Sequence, residues 1–499
     1  MYISTRNNYE RVSASQAIKL GMVPPGGLFV PEKTPGLNLE QIVMMKTAGY
    51  QETAVKILSL YLDDYTHTEI ETSVQKAYQE SNFPQRLVAP LHQINKQAYI
   101  LELWHGPTAA FKDMALQVMP HLLSQAMKKS QQDKEIVILV ATSGDTGKAA
   151  LEGFKNVPGI KIIVFYPYQG VSKVQELQMS TTDGNNTYVV AVKGNFDDCQ
   201  NAVKEIFGDQ GFKAQLATAG YELSSANSIN WGRLAPQIVY YFYAYSQLLR
   251  TQAVQPGEPI NFVVPTGNFG NILAGWYAYR MGLPVRKFIC ASNENKVLTD
   301  FFASGVYNRN REFKQTNSPS MDILISSNLE RFLFEITGHN GEQITRWMKE
   351  LQAAGTFALQ SEDLKAIQDI LAAGSADEKE TLAAIGAVFH ETGYALDTHT
   401  AVGVSVYEKY ARKTQDHTVT VIAATASPFK FNNSVLEAIK GPQAVRGKDE
   451  FRVLEELSQA INQPIHHGLK ELEHRPVLHR RVCAKSEIKA QVEDILGIK

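Results

Sequence analysis

Three short segments of this 499-residue chain combine residue types that could do chemistry together. The first runs Glu102-Leu-Trp-His-Gly-Pro-Thr-Ala-Ala-Phe-Lys-Asp-Met-Ala115. Gly106-Pro107 breaks the chain, Thr108 can cap, and the spacing predicts a helix from about Ala109. Lys112 would then sit near a helix N-terminus, where the positive end of the dipole disfavours an ammonium group. Its neighbours Ala110, Phe111, Met114 and Ala115 are apolar. A lysine so placed loses proton affinity, as an imine-forming amine must. A solvated surface lysine is the competing reading of this segment alone.

The second segment is Ala141-Thr-Ser-Gly-Asp-Thr-Gly147, directly after an apolar run. It stands at the carboxyl end of an expected parallel strand, where ligands bind in open α/β sheets. Read alone, it is equally a simple strand-to-helix turn. The third is Pro265-Thr-Gly-Asn-Phe-Gly-Asn271, again between a strand and a helix. Its glycines permit unusual backbone angles, and its N–H groups would form a dianion cradle without a single arginine. Neither turn has the spacing of the P-loop or dinucleotide fingerprints. An amine, a small-residue polar loop and a phosphate cradle are together what pyridoxal 5'-phosphate requires, as an aldehyde that carries a phosphate and an aromatic electron sink.

The elements around these turns must position them. Short β-branched runs at 135–140, 161–165 and 187–192 alternate with helical patterns at 148–154, 173–179 and about 196–207. The alternation resumes after the linker-like residues 252–259, with strands at 261–264 and 286–291, a helix near 272–281 and a late strand at 418–424. This rhythm implies parallel, doubly wound sheets. Residues 1–97 read as helix-rich, with an amphipathic helix at 53–62, and 330–409 as mostly helical.

Composition narrows the class further. Hydrophobic residues make up 44% and charged residues 20%, which excludes a disordered or fibrous chain. Lys plus Arg number 49 against 51 Asp plus Glu, so no basic excess points to nucleic acid or a membrane surface. The apolar runs are too short to span a bilayer. The three cysteines suit a reducing compartment, and a cytoplasmic location is expected. His466-His467 lacks further ligands at metal spacing, so no metal is expected. The aromatic run 240–245 reads as helix packing.

The three segments resemble the blocks of the threonine synthase family, within the tryptophan-synthase-β-like group of pyridoxal-phosphate enzymes. Further similar blocks follow in order: Gly26-Gly-Leu-Phe-Val-Pro31, Asn227-Ser-Ile-Asn-Trp231, Pro319-Ser-Met-Asp322, Ser326-Ser-Asn-Leu-Glu-Arg331 and Asp397-Thr-His-Thr-Ala-Val-Gly403. The resemblance implies an α/β chain with two doubly wound domains of fold type II plus a helical N-terminal segment. The expected division is 1–97 for the N-terminal segment, 98–258 for a smaller domain with the lysine, and 259–499 for a larger one with the phosphate loop.

The resemblance also implies site roles. Lys112 would hold pyridoxal 5'-phosphate covalently, and the backbone of Gly267, Asn268, Phe269, Gly270 and Asn271 would bind its phosphate. Thr425 would face the pyridine nitrogen, with a strand-end cap as the alternative reading. Asp145 stands where the wider group usually has an asparagine facing the cofactor's phenolic oxygen. Two facing anions repel unless they share a proton or the carboxylate is displaced, and both readings stay open. The implied reaction is that of a lyase of threonine biosynthesis, turning O-phospho-L-homoserine and water into L-threonine and phosphate, with Lys112 as base at Cα.

Substrate contacts are expected at Ser143 and Thr146 for the α-carboxylate. For the substrate phosphate the expectation is Ser326, Ser327, Asn328 and Arg331, with Asn227, Asn230 and Arg233 as alternatives. A small-molecule substrate and a monomer or homodimer complete the picture, with no nucleic acid and no membrane. The rivals are a phospholyase that releases an oxoacid and ammonia from the same substrate, and a silent binding protein on the same scaffold.

Overall fold

The computed structural model describes residues 1–84, 88–130, 134–142 and 144–498. Two parallel sheets dominate it. The five-stranded sheet has the order Arg481–Ala484, Thr187–Lys193, Ile160–Pro167, Glu135–Ala141, Tyr221–Ser224, parallel throughout. Its central strands are apolar on both faces because helices cover both; Leu139 pairs with Ile163 and Phe165 with Val190, all fully buried. The six-stranded sheet has the order Leu371–Ser375, Val285–Ser292, Ile260–Pro265, Thr420–Ala424, Ala98–Glu102, Leu91–Gln93, of which only the last joins antiparallel.

The expected strands and helices of both units are present, with ends moved by a few residues. Two features depart from expectation. The first is the division of the chain. Ala98–Glu102, assigned to the smaller domain, pairs with Thr420–Ala424 in the larger sheet, while Arg481–Ala484, assigned to the larger domain, pairs with Thr187–Lys193 in the smaller one. Cuts at 97/98 and 258/259 therefore pass through the sheets, because strand pairing over long sequence separations overrides the order along the chain. The second is Leu371–Ser375 inside the stretch read as helical. Its Leu and Ala residues favour a helix, yet pairing of Leu371 with Phe288 makes it an edge strand.

The N-terminal segment carries the helices Ala14–Leu20, Leu39–Met44, Tyr50–Tyr61 and His67–Ala77 and an antiparallel pair, Tyr2–Ser4 with Phe29–Pro31. Among the described residues, no helix is long and apolar enough to cross a membrane.

The topology sets the site. Ile260–Pro265, Thr420–Ala424 and Ala98–Glu102 are adjacent and parallel, so the phosphate-cradle loop, Thr425 and the lysine segment leave the same sheet edge-to-edge at its carboxyl end. Glu135–Ala141 delivers the Asp145 turn from the other sheet.

Candidate active site

Lys112 is reached by an irregular segment rather than by the expected helix from Ala109. Ala110 bridges Ala426 in antiparallel fashion, and the Phe111 N–H donates to the Thr425 carbonyl at 2.8 Å. These contacts hold 109–111 against the end of strand Thr420–Ala424, and Ala109 takes a left-handed φ of 61°. The helix begins only at Asp113. The buried Asp113 carboxylate accepts from the Thr108 N–H at 2.8 Å and the Thr108 hydroxyl at 2.7 Å, which closes the turn. Burial pushes the Asp113 carboxyl up to about 6, against the Thr108 donors.

Lys112 is buried, 8% exposed. Burial pushes its amine below the ordinary lysine value; Asp145 opposes that shift, and Lys430 and Arg233 add to it. The Lys112 Nζ lies 3.4 Å from Asp145 Oδ2 and donates to Ser320 Oγ at 3.1 Å. Ser320 in turn donates to Asp145 Oδ2 at 3.2 Å. The other oxygen, Oδ1, pairs with Lys430 Nζ at 2.9 Å and accepts from Gln175 Nε2 at 3.1 Å.

Burial alone would raise the Asp145 carboxyl, but Lys430 and Lys112 outweigh it and hold the group well below the usual carboxylate range. The carboxylate has a lysine on each oxygen, Lys430 at Oδ1 and Lys112 at Oδ2. Gly144 before it has a φ of +136°, and a Cβ there would meet the Gln175 amide at 2.6 Å. The turn is closed by the Thr142 hydroxyl, which accepts from the N–H groups of Gly144 and Gly147 at 3.0 Å each. Ser143 lies outside the described residues; Thr146 is half-buried in the first turn of the helix.

The phosphate-cradle loop ends at the helix Gly270–Arg280, with Phe269 left-handed at φ 63°. The buried Phe269 ring packs on Phe302 and Phe332 at 5.8 and 5.3 Å, which holds the backbone in that conformation. Among the described residues, none accepts from the N–H groups of Gly267 to Asn271. The Asn271 amide adds a donor: its Oδ1 accepts from the hydroxyls of Tyr240 and Tyr241, and its buried Nδ2 has no partner among the described residues. Orphaned donors at a helix N-terminus fit a phosphate. The loop floor is close; a Cβ on Gly267 would stand 2.7 Å from the Ser320 carbonyl oxygen. These residues fit pyridoxal 5'-phosphate: a buried amine, an adjacent ionised carboxylate and a set of unsatisfied N–H donors. Thr425, buried, directly follows strand Thr420–Ala424 on the lysine side of the sheet.

The residues expected to bind the substrate phosphate are engaged elsewhere. Ser326 donates to the Gly267 carbonyl and Asn328 to the Asn268 carbonyl. Arg331 is fully buried and donates to the carbonyls of Phe29 and Ile229 and to Asn328 Oδ1. These three build the scaffold under the cradle, and Arg331 ties the N-terminal segment to it. Ser327 and Asn227 are half-buried. Asn230 is the buried cap of the helix Trp231–Arg250. Arg233 is buried, and among the described residues its guanidinium donates one hydrogen bond, to the Ala226 carbonyl.

Sequence reasoning missed Ser320, Lys430 and Gln175 as members of the cluster. Ser320 lies inside a quoted block, but nothing in the spacing tells that a residue 208 positions away meets Lys112. His399 acts structurally, accepting from the Ser320 N–H at 3.2 Å while its Nδ1 pairs with Asp397. His466 is buried and packs edge-on to Trp104. It borders a cavity of about 490 Å³ together with Glu102, His105 and Phe429. Lys112 and Asp145 do not line that space, so it is not the place of the chemistry.

The description "Threonine synthase N terminus" matches residues 1–78, "Pyridoxal-phosphate dependent enzyme" residues 83–425, and "Threonine synthase, C-terminal" residues 400–482. The chain is 37% identical to a threonine synthase of Pseudomonas aeruginosa over 88% of this chain and 90% of that one. It is 39% identical to the human threonine synthase-like 1 over 99% of this chain and 68% of that one. A crystal structure of threonine synthase from Brucella melitensis with pyridoxal phosphate bound superposes with a TM-score of 0.86 at 36% identity, covering 99% of this chain and 98% of that one. Family, fold and site geometry agree: the chain belongs to the threonine synthase family of pyridoxal-phosphate-dependent enzymes.

Proposed function

We propose that this enzyme converts O-phospho-L-homoserine and water into L-threonine and phosphate, as a carbon–oxygen lyase acting on a phosphate ester. The observation that carries the reading is the buried Lys112 amine, lowered in proton affinity, held beside the cradle of unsatisfied N–H groups. When bound, the cofactor supplies an aldehyde for an amine and a ring that accepts electron density released beside that amine.

The chain's own residues do the rest. The N–H groups of Gly267 to Asn271 and Asn271 Nδ2 would hold the cofactor phosphate, and Asp145 and Thr425 would orient its ring. Thr425 is a neutral hydroxyl, so it leaves the ring a milder electron sink than an aspartate partner would, which suits elimination. Lys112, once free, takes the proton from the substrate Cα and returns one there at the end. The helix N-terminus at Gly144 to Thr146 would receive the α-carboxylate. Arg233 is the cation best placed for the substrate phosphate, because its guanidinium is buried near Lys112 and, among the described residues, donates one hydrogen bond. The cytoplasmic location expected from the sequence is part of the same proposal, supported by three free cysteines.

The test is product analysis with O-phosphohomoserine. Threonine and phosphate in equal amounts are expected. An oxoacid with ammonia would assign the chain to the phospholyase reading instead, and no phosphate release would sink both.

A further inference from the structure

Two lysines meet one carboxylate in this site, and they meet it unequally. Lys430 Nζ is 2.9 Å from Asp145 Oδ1, within the range of a charge-assisted hydrogen bond, and it also donates to the Thr108 carbonyl at 2.9 Å. Its side chain is fully enclosed. Lys112 Nζ is 3.4 Å from Asp145 Oδ2 and gives its shorter contact, 3.1 Å, to the Ser320 hydroxyl. Ser320 and Gln175 fill the remaining acceptor positions of Asp145.

We propose that Lys430 is the positioning residue of the site: it takes over Asp145 as counter-ion and leaves Lys112 as the free amine. The proposal rests on Lys112 being the cofactor lysine. A buried carboxylate with a single lysine beside it binds that lysine as ammonium. An ammonium cannot attack an aldehyde. A second cation, fixed by its own carbonyl acceptor, satisfies the carboxylate without drawing on Lys112 and repels a proton there.

The other charged groups act in the same direction or through Asp145. Arg233, from the helix Trp231–Arg250, further disfavours a charge on Lys112. His399, from the helix Thr398–Thr414, faces Asp145 at longer range. Asp113 faces Lys430 from the lysine segment. Lys430 comes from the turn Pro428–Phe431, which follows Thr425 by a few residues, so one loop places both the ring partner and the counter-ion.

The experiment uses the full-length protein, resolved with hydroxylamine and re-supplied with pyridoxal 5'-phosphate. The rate of cofactor capture is followed by absorbance across pH. In Lys430→Gln, Asp145 has Lys112 as its remaining lysine, so the capture profile moves to higher pH and the rate near neutrality falls on the order of tenfold, the effect of one logarithmic step in proton affinity. Lys430→Arg keeps the charge and restores the wild-type profile. Asp145→Asn moves the profile the other way and keeps the test decisive if Lys430→Gln fails to fold.

A capture profile unmoved in Lys430→Gln, or moved upward in Asp145→Asn, overturns the proposal. Capture that persists in Lys112→Ala would instead overturn the assignment of the cofactor lysine, so the two failures are distinguishable.

Discussion

Tyr240 donates its hydroxyl to Asn271 Oδ1 at 2.6 Å, across from one helix to the first turn of another. Tyr241 reaches the same oxygen at 2.8 Å. These two phenols fix which end of the Asn271 amide is the acceptor and so which end is left to donate toward the cradle. Replacing both, Tyr240→Phe with Tyr241→Phe, frees the amide to rotate. Affinity for pyridoxal 5'-phosphate is expected to fall by about 1 kcal/mol, roughly fivefold to tenfold, in an equilibrium titration of the resolved chain. Unchanged affinity would remove Asn271 Nδ2 from the cradle.

Gly267 is the tightest point of the loop, because its neighbour is a backbone oxygen of Ser320 and not a flexible side-chain end. Gly267→Ala is expected to cost about 1–3 kcal/mol of stability, the scale of an overpacked site, in urea unfolding, and to weaken cofactor binding as the loop shifts. A variant as stable as wild type would mean that the loop and the Ser320 turn are not in contact.

Arg331 separates scaffold from substrate contact. Its donors go to two carbonyls and the Asn328 side chain. Lysine cannot span them, and stripping buried acceptors of their donors costs about 2–4 kcal/mol. Arg331→Lys is expected to lower the unfolding free energy while the KM of the folded fraction for O-phosphohomoserine stays near wild type. A raised KM at unchanged stability would return Arg331 to the substrate.

Asp145 gives a pH dependence with a definite sign. Held by Lys430 and Lys112, it binds a proton less readily in the folded chain than in the unfolded one. Its stabilisation is complete above the unfolded value of about 4 and is lost as pH falls below it. The difference in unfolding free energy between wild type and Asp145→Asn is therefore expected to shrink as pH falls from about 5 to 2. A difference constant across that range would mean that folding leaves the proton affinity of Asp145 unchanged, and one that moves the other way would mean that Asp145 is protonated in the fold.

The parts of this site that lie together in sequence were legible there. The alternation of strands and helices, the three turns at strand ends and the lysine among apolar residues all depend on local patterns of two to four residues. What was not legible came from strand order. Thr420–Ala424 inserts between Ile260–Pro265 and Ala98–Glu102, and only that insertion brings Lys430 to Asp145. The same crossover pins 109–111 as an irregular segment and delays the helix to Asp113. Ser326, Asn328 and Arg331 were read as anion ligands from residue type, yet Ser326 and Asn328 donate to the carbonyls of the cradle loop and Arg331 to Asn328 and the carbonyls of Phe29 and Ile229. An arginine's partners are set by burial, which periodicity around Arg331 did not reveal.

The central claim is that the cofactor is bonded to one of two neighbouring buried lysines, and borohydride reduction of the holoenzyme followed by peptide mapping tests it most directly. The expected result is a reduced pyridoxyl adduct on Lys112 and none on Lys430. An adduct on Lys430, or none on either, would contradict it.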